Sequence, residues 1–262
     1  MKISFELLPA KTADEMPQLL EITEQLSAVK PAFISVASEI SATPAQATID
    51  AVTFLQKKYS VPLVPHITAS NKTKNDIKVI LDQYLQLGIK RCVVLRGNVL
   101  GKSDFKYASE LVVFIRDYIE NQLAITVAID PNDSVYFKQK VEAGADGAIT
   151  QFFYDITVYE QLLESCQQQK INIPIIPGIL PILEAEKTMR LAKQCGVTLP
   201  KHIVLGLEKF ANDQHATLEF GIEVVIRLCQ QLLAMGVPGL HFFTLNQSAA
   251  VLKILKELNY EN

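Results

Sequence analysis

Glu6 stands in the run ISFELLP (3–9), among neighbours that are mostly apolar or aromatic. A carboxylate is almost never fully buried without a partner, because leaving water costs solvation that hydrocarbon does not return. A carboxyl at the end of such a run has its pKa raised by desolvation, holds a proton near neutral pH and can deliver it as a general acid. The competing reading is an ion pair with Arg96 across the same space. His66, in PLVPHIT (62–68), is either a hydrogen bonder at the end of its run or part of a cofactor site. One His without partners at ligand spacing does not make a metal site. Arg96-Gly97, in RCVVLRG (91–97), puts a guanidinium that can fork onto phosphate or carbonyl beside a residue that lets backbone approach a ligand. Lys138 and Lys140, in KQKVEAGAD, reach a phosphate or form a solvated helix face.

These residues recur at the ends of short apolar runs. Eight such runs are legible as strands: 3–9, 33–38, 62–68, 91–97, 124–130, 147–153, 174–180 and 239–246. Amphipathic segments separate them. Thr12 and Glu15 form a capping-box pattern before a helix with Leu19, Ile22, Leu26 and Val29 on one face, and Thr43-Pro44 starts another. Gly88 and Gly144 stand where helices should stop. The interval from 174 to 239 is longer than the others and predicts an extra helix before the eighth strand. Eight strand–helix units in 262 residues predict an α/β fold, a single closed (β/α)8 TIM barrel over residues 1–262, in preference to an open sheet. No G-x-G-x-x-G follows the first strand. The reactive face of such a barrel lies at the C-terminal strand ends. That gathers Glu6, Ser35, Ser38, His66, Thr68, Arg96, Asn98, Asp130, Gln151, Thr244, Asn246 and Gln247 at one mouth.

Composition narrows the function class. The chain is 49% hydrophobic and 20% charged, with a formal net charge of −3 and no basic stripe, so nucleic acid is not an expected partner. Cys92, Cys166, Cys195 and Cys229 are widely spaced and read as reduced, mostly buried thiols. The first ten residues are too short in apolar length for a signal peptide, and no stretch reaches the length of a spanning helix, so a cytoplasmic protein with no membrane partner is expected. No regulatory domain is expected after the barrel.

Taken together and in order, SFELLP, PHIT, VLRG, YASELV, AGADGAITQFFYD, IIPGILPI and HFFTLN resemble the methylenetetrahydrofolate reductase family, in its bacterial form with only the catalytic barrel. The resemblance implies a flavoprotein in which NAD(P)H reduces FAD and the reduced flavin passes hydride to 5,10-methylenetetrahydrofolate, with ping-pong kinetics. It implies that Glu6 is the acid that opens the bridged folate to its iminium. It places His66, Arg96, Gly97, Asn98, Tyr107, Ala108, Ala128, Asp133 and Lys140 at the flavin, and Gln151, Asn98 and Gln247 at the substrate. Either NADH or NADPH serves as donor. A homo-oligomer or a partner protein is the expected assembly.

Several positions depart from the family pattern. Asn98 replaces an acidic residue, which removes a charge that would favour a cationic folate. Gln247 replaces an Arg that engages folate, and Gln supplies neither its charge nor its fork. Asp130, Tyr136 and Gln139 stand where an aromatic, an Asn and an Arg are typical, and Ala37 and Ser38 replace a Thr-Tyr pair. These changes motivate two alternatives: flavin-independent reduction of the same substrate, and a non-catalytic or partner-dependent folate-binding homologue.

Overall fold

The computed structural model describes residues 1–38, 45–97 and 102–260. Eight parallel strands, β1 (Ile3–Leu7), β2 (Phe33–Val36), β3 (Leu63–Thr68), β4 (Arg91–Leu95), β5 (Ala124–Ile129), β6 (Gly147–Phe152), β7 (Ile175–Ile179) and β8 (Leu240–Phe243), close in sequence order into one barrel. The helices are α1 (Met16–Ser27), α2 (Ala45–Lys58), α3 (Lys74–Gln86), α4 (Ala108–Ile119), α5 (Ser134–Glu142), α6 (Ile156–Gln168), α7 (Ala185–Gln194), α8 (Lys201–Phe210), α9 (Gln214–Ala234) and α10 (Ser248–Glu257). This is the (β/α)8 barrel that the spacing predicts. The long interval between β7 and β8 holds three helices, α7, α8 and α9. The extra helix is present, and a second accompanies it.

Alternation along each strand divides the core in two. Outward residues such as Phe5, Ile34, Ile67, Val94 and Val127 belong to the large cluster shared with the helices. Inward residues Phe33, Val64, Val93 and Ile149 form a second cluster, extended by Leu95, Ala128, Ile176 and Phe243. This apolar layer fills the barrel axis, so the polar residues at the mouth sit on a packed floor.

Seven of the eight strands end one to three residues earlier than the apolar runs predict, because the chain leaves the sheet to form the mouth, while β3 ends at Thr68 as expected. Gly97 has φ +72°, and Leu245 and Asn246 have φ +49° and +56°, conformations that cannot continue a strand. The pattern at Thr12 and Glu15 does not form a capping box. Thr12 makes no side-chain cap bond, and Glu15 Oε2 instead accepts from the Lys11 amide at 2.7 Å. A tight 3-10 turn over Ala13–Glu15 precedes α1 and carries the Glu15 side chain back past Thr12. Leu19, Ile22 and Leu26 are buried as expected, while Val29 lies beyond the helix, partly buried against the core. Gly88 and Gly144 do follow helix ends, at φ +74° and +109°. Thr43-Pro44 lies outside the described residues.

Gly178 marks the tightest point of the barrel wall. A Cβ there would stand 2.2 Å from the Thr150 carbonyl oxygen and 2.6 Å from the Phe243 ring, where the β6–β7 register slips. Gly178→Ala should therefore destabilise the fold by about 2 kcal/mol or more through overpacking, read as a lower urea midpoint at unchanged slope. An unchanged midpoint would show that β6 and β7 separate there without cost.

Candidate functional site

Glu6 is the fourth residue of β1, in register with Ser35 on β2 and Phe243 on β8. It shares the inward parity of Ser4, and its side chain is only 13% exposed. Burial pushes its pKa up to about 8. His66, on β3, places Nε2 3.4 Å from Glu6 Oε2. Burial pulls the imidazole down to about 3. By distance the two could be an ion pair, but creating two charges in this enclosure costs more than their attraction returns, so burial favours a neutral acid beside a neutral imidazole. The approach is not aligned for a hydrogen bond, and His66 Nε2 has no hydrogen-bond partner among the described residues. The ion pair between Glu6 and Arg96 is not formed. Arg96 follows β4 on the far side of His66 and points into a different pocket.

The Glu6 backbone is held by the chain's last corner. Thr244 Oγ1 donates to the Glu6 carbonyl at 2.7 Å, and the Thr244 amide donates to it at 3.3 Å. Asn246 clamps the next residue but one: its Oδ1 accepts from the Leu8 amide and its Nδ2 donates to the Leu8 carbonyl, both at 2.9 Å. Asn tolerates the left-handed backbone this corner needs. Sequence reading placed Asn246 at the mouth without revealing this clamp, because its partner is 238 residues away.

A second locus lies where β4 and β5 end and α4 and α5 begin. A cavity of about 220 Å3 brings together Arg96, Tyr107, Ala108, Asp133 and Lys140 of the expected flavin set, with Asp130 and Tyr136. The Tyr107 and Tyr136 rings stack with centroids 5.5 Å apart. Lys140 Nζ donates to the Ala128 carbonyl at 2.8 Å, which ties Ala128 to the same wall. Burial lowers the Lys140 pKa, opposed by Asp133 and Asp130. Lys138 faces away and pairs with Glu142 at 3.7 Å, a solvated helix face. Asp133 caps α5, accepting from the Tyr136 amide.

The remaining expected residues are dispersed. Gly97 packs on β3, where an added Cβ would stand 3.0 Å from Ser70 Cβ and 3.2 Å from Thr68 Cβ. Gln151, on β6, is half-buried and its Oε1 accepts from the Phe152 amide at 3.0 Å. Gln247 is exposed at the start of α10 and makes no side-chain cap bond. His66 belongs with Glu6 inside the barrel, away from the tyrosine cavity. Asn98 lies outside the described residues. Sequence reading missed Lys72, a buried lysine after β3 whose Nζ donates to Thr68 Oγ1 at 3.0 Å and to the Ser70 carbonyl at 3.3 Å. Nothing in the polar stretch ASNKTK marks it as buried. Among the described residues no group of three or more His, Cys, Asp or Glu could hold a metal ion, and no helix is long and apolar enough to cross a membrane.

A closed barrel with a proton-holding carboxyl at its mouth, beside a pocket of stacked rings and cations, is the architecture of a (β/α)8-barrel enzyme. Residues 1–259 match the family model described as methylenetetrahydrofolate reductase. The 5,10-methylenetetrahydrofolate reductase of Buchnera aphidicola subsp. Acyrthosiphon pisum is 32% identical over 259 residues, covering 95% of this chain and 88% of that protein. Methylenetetrahydrofolate reductase 1 of Schizosaccharomyces pombe is 31% identical over 273 residues, covering 97% of this chain. The chain spans only 45% of the length of that yeast relative. An uncharacterized protein from Clostridium thermocellum, described as binding two copies of 5-methyl-5,6,7,8-tetrahydrofolic acid, shares the fold with a TM-score of 0.73 at 16% identity, over 99% of this chain and 95% of that one. The chain belongs to the methylenetetrahydrofolate reductase family, a family of oxidoreductases.

The raised pKa of Glu6 has a consequence for stability. Between the ordinary value of 4.5 and about 8 the folded chain keeps a proton that the unfolded chain has released, so stability contributed at this site falls as pH rises through that window. Glu6→Gln removes the dependence. Its stability relative to the parent should increase from pH 4.5 to pH 8, by on the order of a few kcal/mol at the upper end, in urea denaturation at matched pH. A difference that stays flat across the window would mean Glu6 ionises normally.

Proposed function

We propose that this chain reduces 5,10-methylenetetrahydrofolate to 5-methyltetrahydrofolate with hydride from NAD(P)H through FAD, and that Glu6 is the general acid. The observation that carries the reading is Glu6 itself, an acid whose burial lets it hold its proton at neutral pH, at the reactive end of a barrel of this family. Opening a bridged aminal requires a proton on the leaving nitrogen before hydride arrives, and a neutral carboxyl at the mouth can supply it. His66 keeps that proton in place: taking it up would create two buried charges 3.4 Å apart.

The cavity residues fit a dinucleotide. Arg96 and Lys140 can neutralise a diphosphate, the N-terminus of α4 at Ala108 favours an anion, and Tyr107 with Tyr136 offers an aromatic surface. When bound, FAD would accept hydride from NAD(P)H and pass it to the folate. Gly97 lets backbone come close to a ring edge, and Gln151 offers an amide at the rim for the substrate. Gln247 has no charge to give the folate's carboxylates. A ligand of the product's kind is described for the Clostridium thermocellum neighbour. The described strands and helices from Ile3 to Glu257 belong to one closed barrel, which supports one catalytic domain.

A second reading, direct hydride transfer from NAD(P)H to folate without flavin, draws on the two carboxylates of the same cavity. Asp130 and Asp133 line it together with Arg96 and Lys140, and they oppose a diphosphate. An absorption spectrum separates the readings. Purified protein given FAD should show a flavin spectrum that bleaches with NADH or NADPH without oxygen, whereas a colourless protein that ignores FAD but still reduces folate supports the second. In the first case Glu6→Gln should slow folate reduction by about 10²-fold or more while flavin reduction stays within a few-fold of the parent. Equal loss of both half-reactions would remove Glu6 from the role of acid.

A further inference from the structure

The N-terminal end of the barrel, opposite the proposed catalytic mouth, holds a cavity of about 650 Å3, within the size range of small-molecule sites. Its origin is compositional. Barrels of this kind are filled by bulky branched side chains, but the lowest positions here are Pro62, Ala124, Pro174 and Gly239, which leave the end unfilled. The floor is the apolar layer itself, where Phe33 and Val64 are buried and Ile176 is half-open.

Its charge is one-sided. The ionisable residues that line it are Lys2, Lys90 and Arg91, with no carboxylate, in a chain whose net charge is −3. None of the three takes part in an ion pair among the described residues. The Arg91 guanidinium lies over the Phe33 ring, 5.9 Å from its centroid, and that ring also stacks with His241 at 5.7 Å, so the cation is anchored against the apolar floor. Gln56 is also on the wall, its Oε1 buried and without a hydrogen-bond partner among the described residues.

We propose that this cavity is a second binding site, for a small organic anion with a flat apolar body. The acidic group is held at the rim by Arg91 and Lys90, and the body rests on the apolar floor at Ile176 and Phe33. The apolar layer separates this site from Glu6, so occupation does not require the catalytic mouth.

The probe is 8-anilinonaphthalene-1-sulfonate, an organic anion that fluoresces when its rings leave water, titrated into the full chain. One saturable site is expected. Arg91→Ala, on an exposed side chain, should weaken binding about tenfold or more, as loss of a charge-assisted contact does. Ala32→Trp, at the exposed rim, should abolish it by filling the entrance, and Glu6→Gln should bind like the parent. Parent-like binding by Arg91→Ala or by Ala32→Trp, or no saturable binding by the parent, overturns the proposal. Thermal melts of each variant establish that it is folded, and Lys90→Ala replaces any that is not.

Discussion

The pairing of β8 with β1 is the contact on which both ends of this barrel depend. It joins residues more than 230 positions apart, Ser4 with His241 and Glu6 with Phe243, and without it the sheet would have two open edges. Ordering the loop between such distant partners costs chain entropy that short-range contacts do not repay, so closure has to be secured by dense local bonding. Thr244 and Asn246 provide it through the Glu6 carbonyl and both backbone groups of Leu8. Ser4 Oγ adds a buried contact of 2.8 Å to His241 Nδ1. The corner that closes the sheet is thus the corner that aims Glu6.

Closure also determines the chemistry available at Glu6. A carboxyl on an open sheet edge would be hydrated and ionised; inside a closed barrel, above a floor of Phe33, Val64, Val93 and Ile149, it loses water and keeps its proton. His66 and His241 are subject to the same force with opposite sign, both pushed down to about 3. Three titratable groups inside the barrel are therefore neutral at pH 7, a state that suits storage of a transferable proton rather than ion pairing.

The two ends of the axis differ in kind. At the C-terminal end an acid lies inside the mouth, and a separate cavity holds stacked rings, cations and aspartates. At the N-terminal end the ionisable residues that line the space are all cations, set against a largely apolar wall. The packed layer between them lets the two surfaces vary independently, since a change at one end need not disturb the floor of the other.

Strand number, order and the closed barrel were legible in the chain itself, because period-2 apolar runs alternating with amphipathic segments leave few topologies open. Glu6 was legible too, as one carboxyl in an apolar run, whereas the gathering of Arg96 and Lys140 at one cavity was implied only by the family resemblance. Side-chain partnership was not legible. Glu6 meets His66 rather than Arg96, Glu15 reaches Lys11 rather than capping with Thr12, and Lys72 is buried within a polar stretch. Local pattern reports which face a residue occupies, because that follows from backbone period. Which group it touches, and how far its pKa moves, follow from barrel closure, which brings residues from opposite ends of the chain within a few ångströms and excludes water from between them.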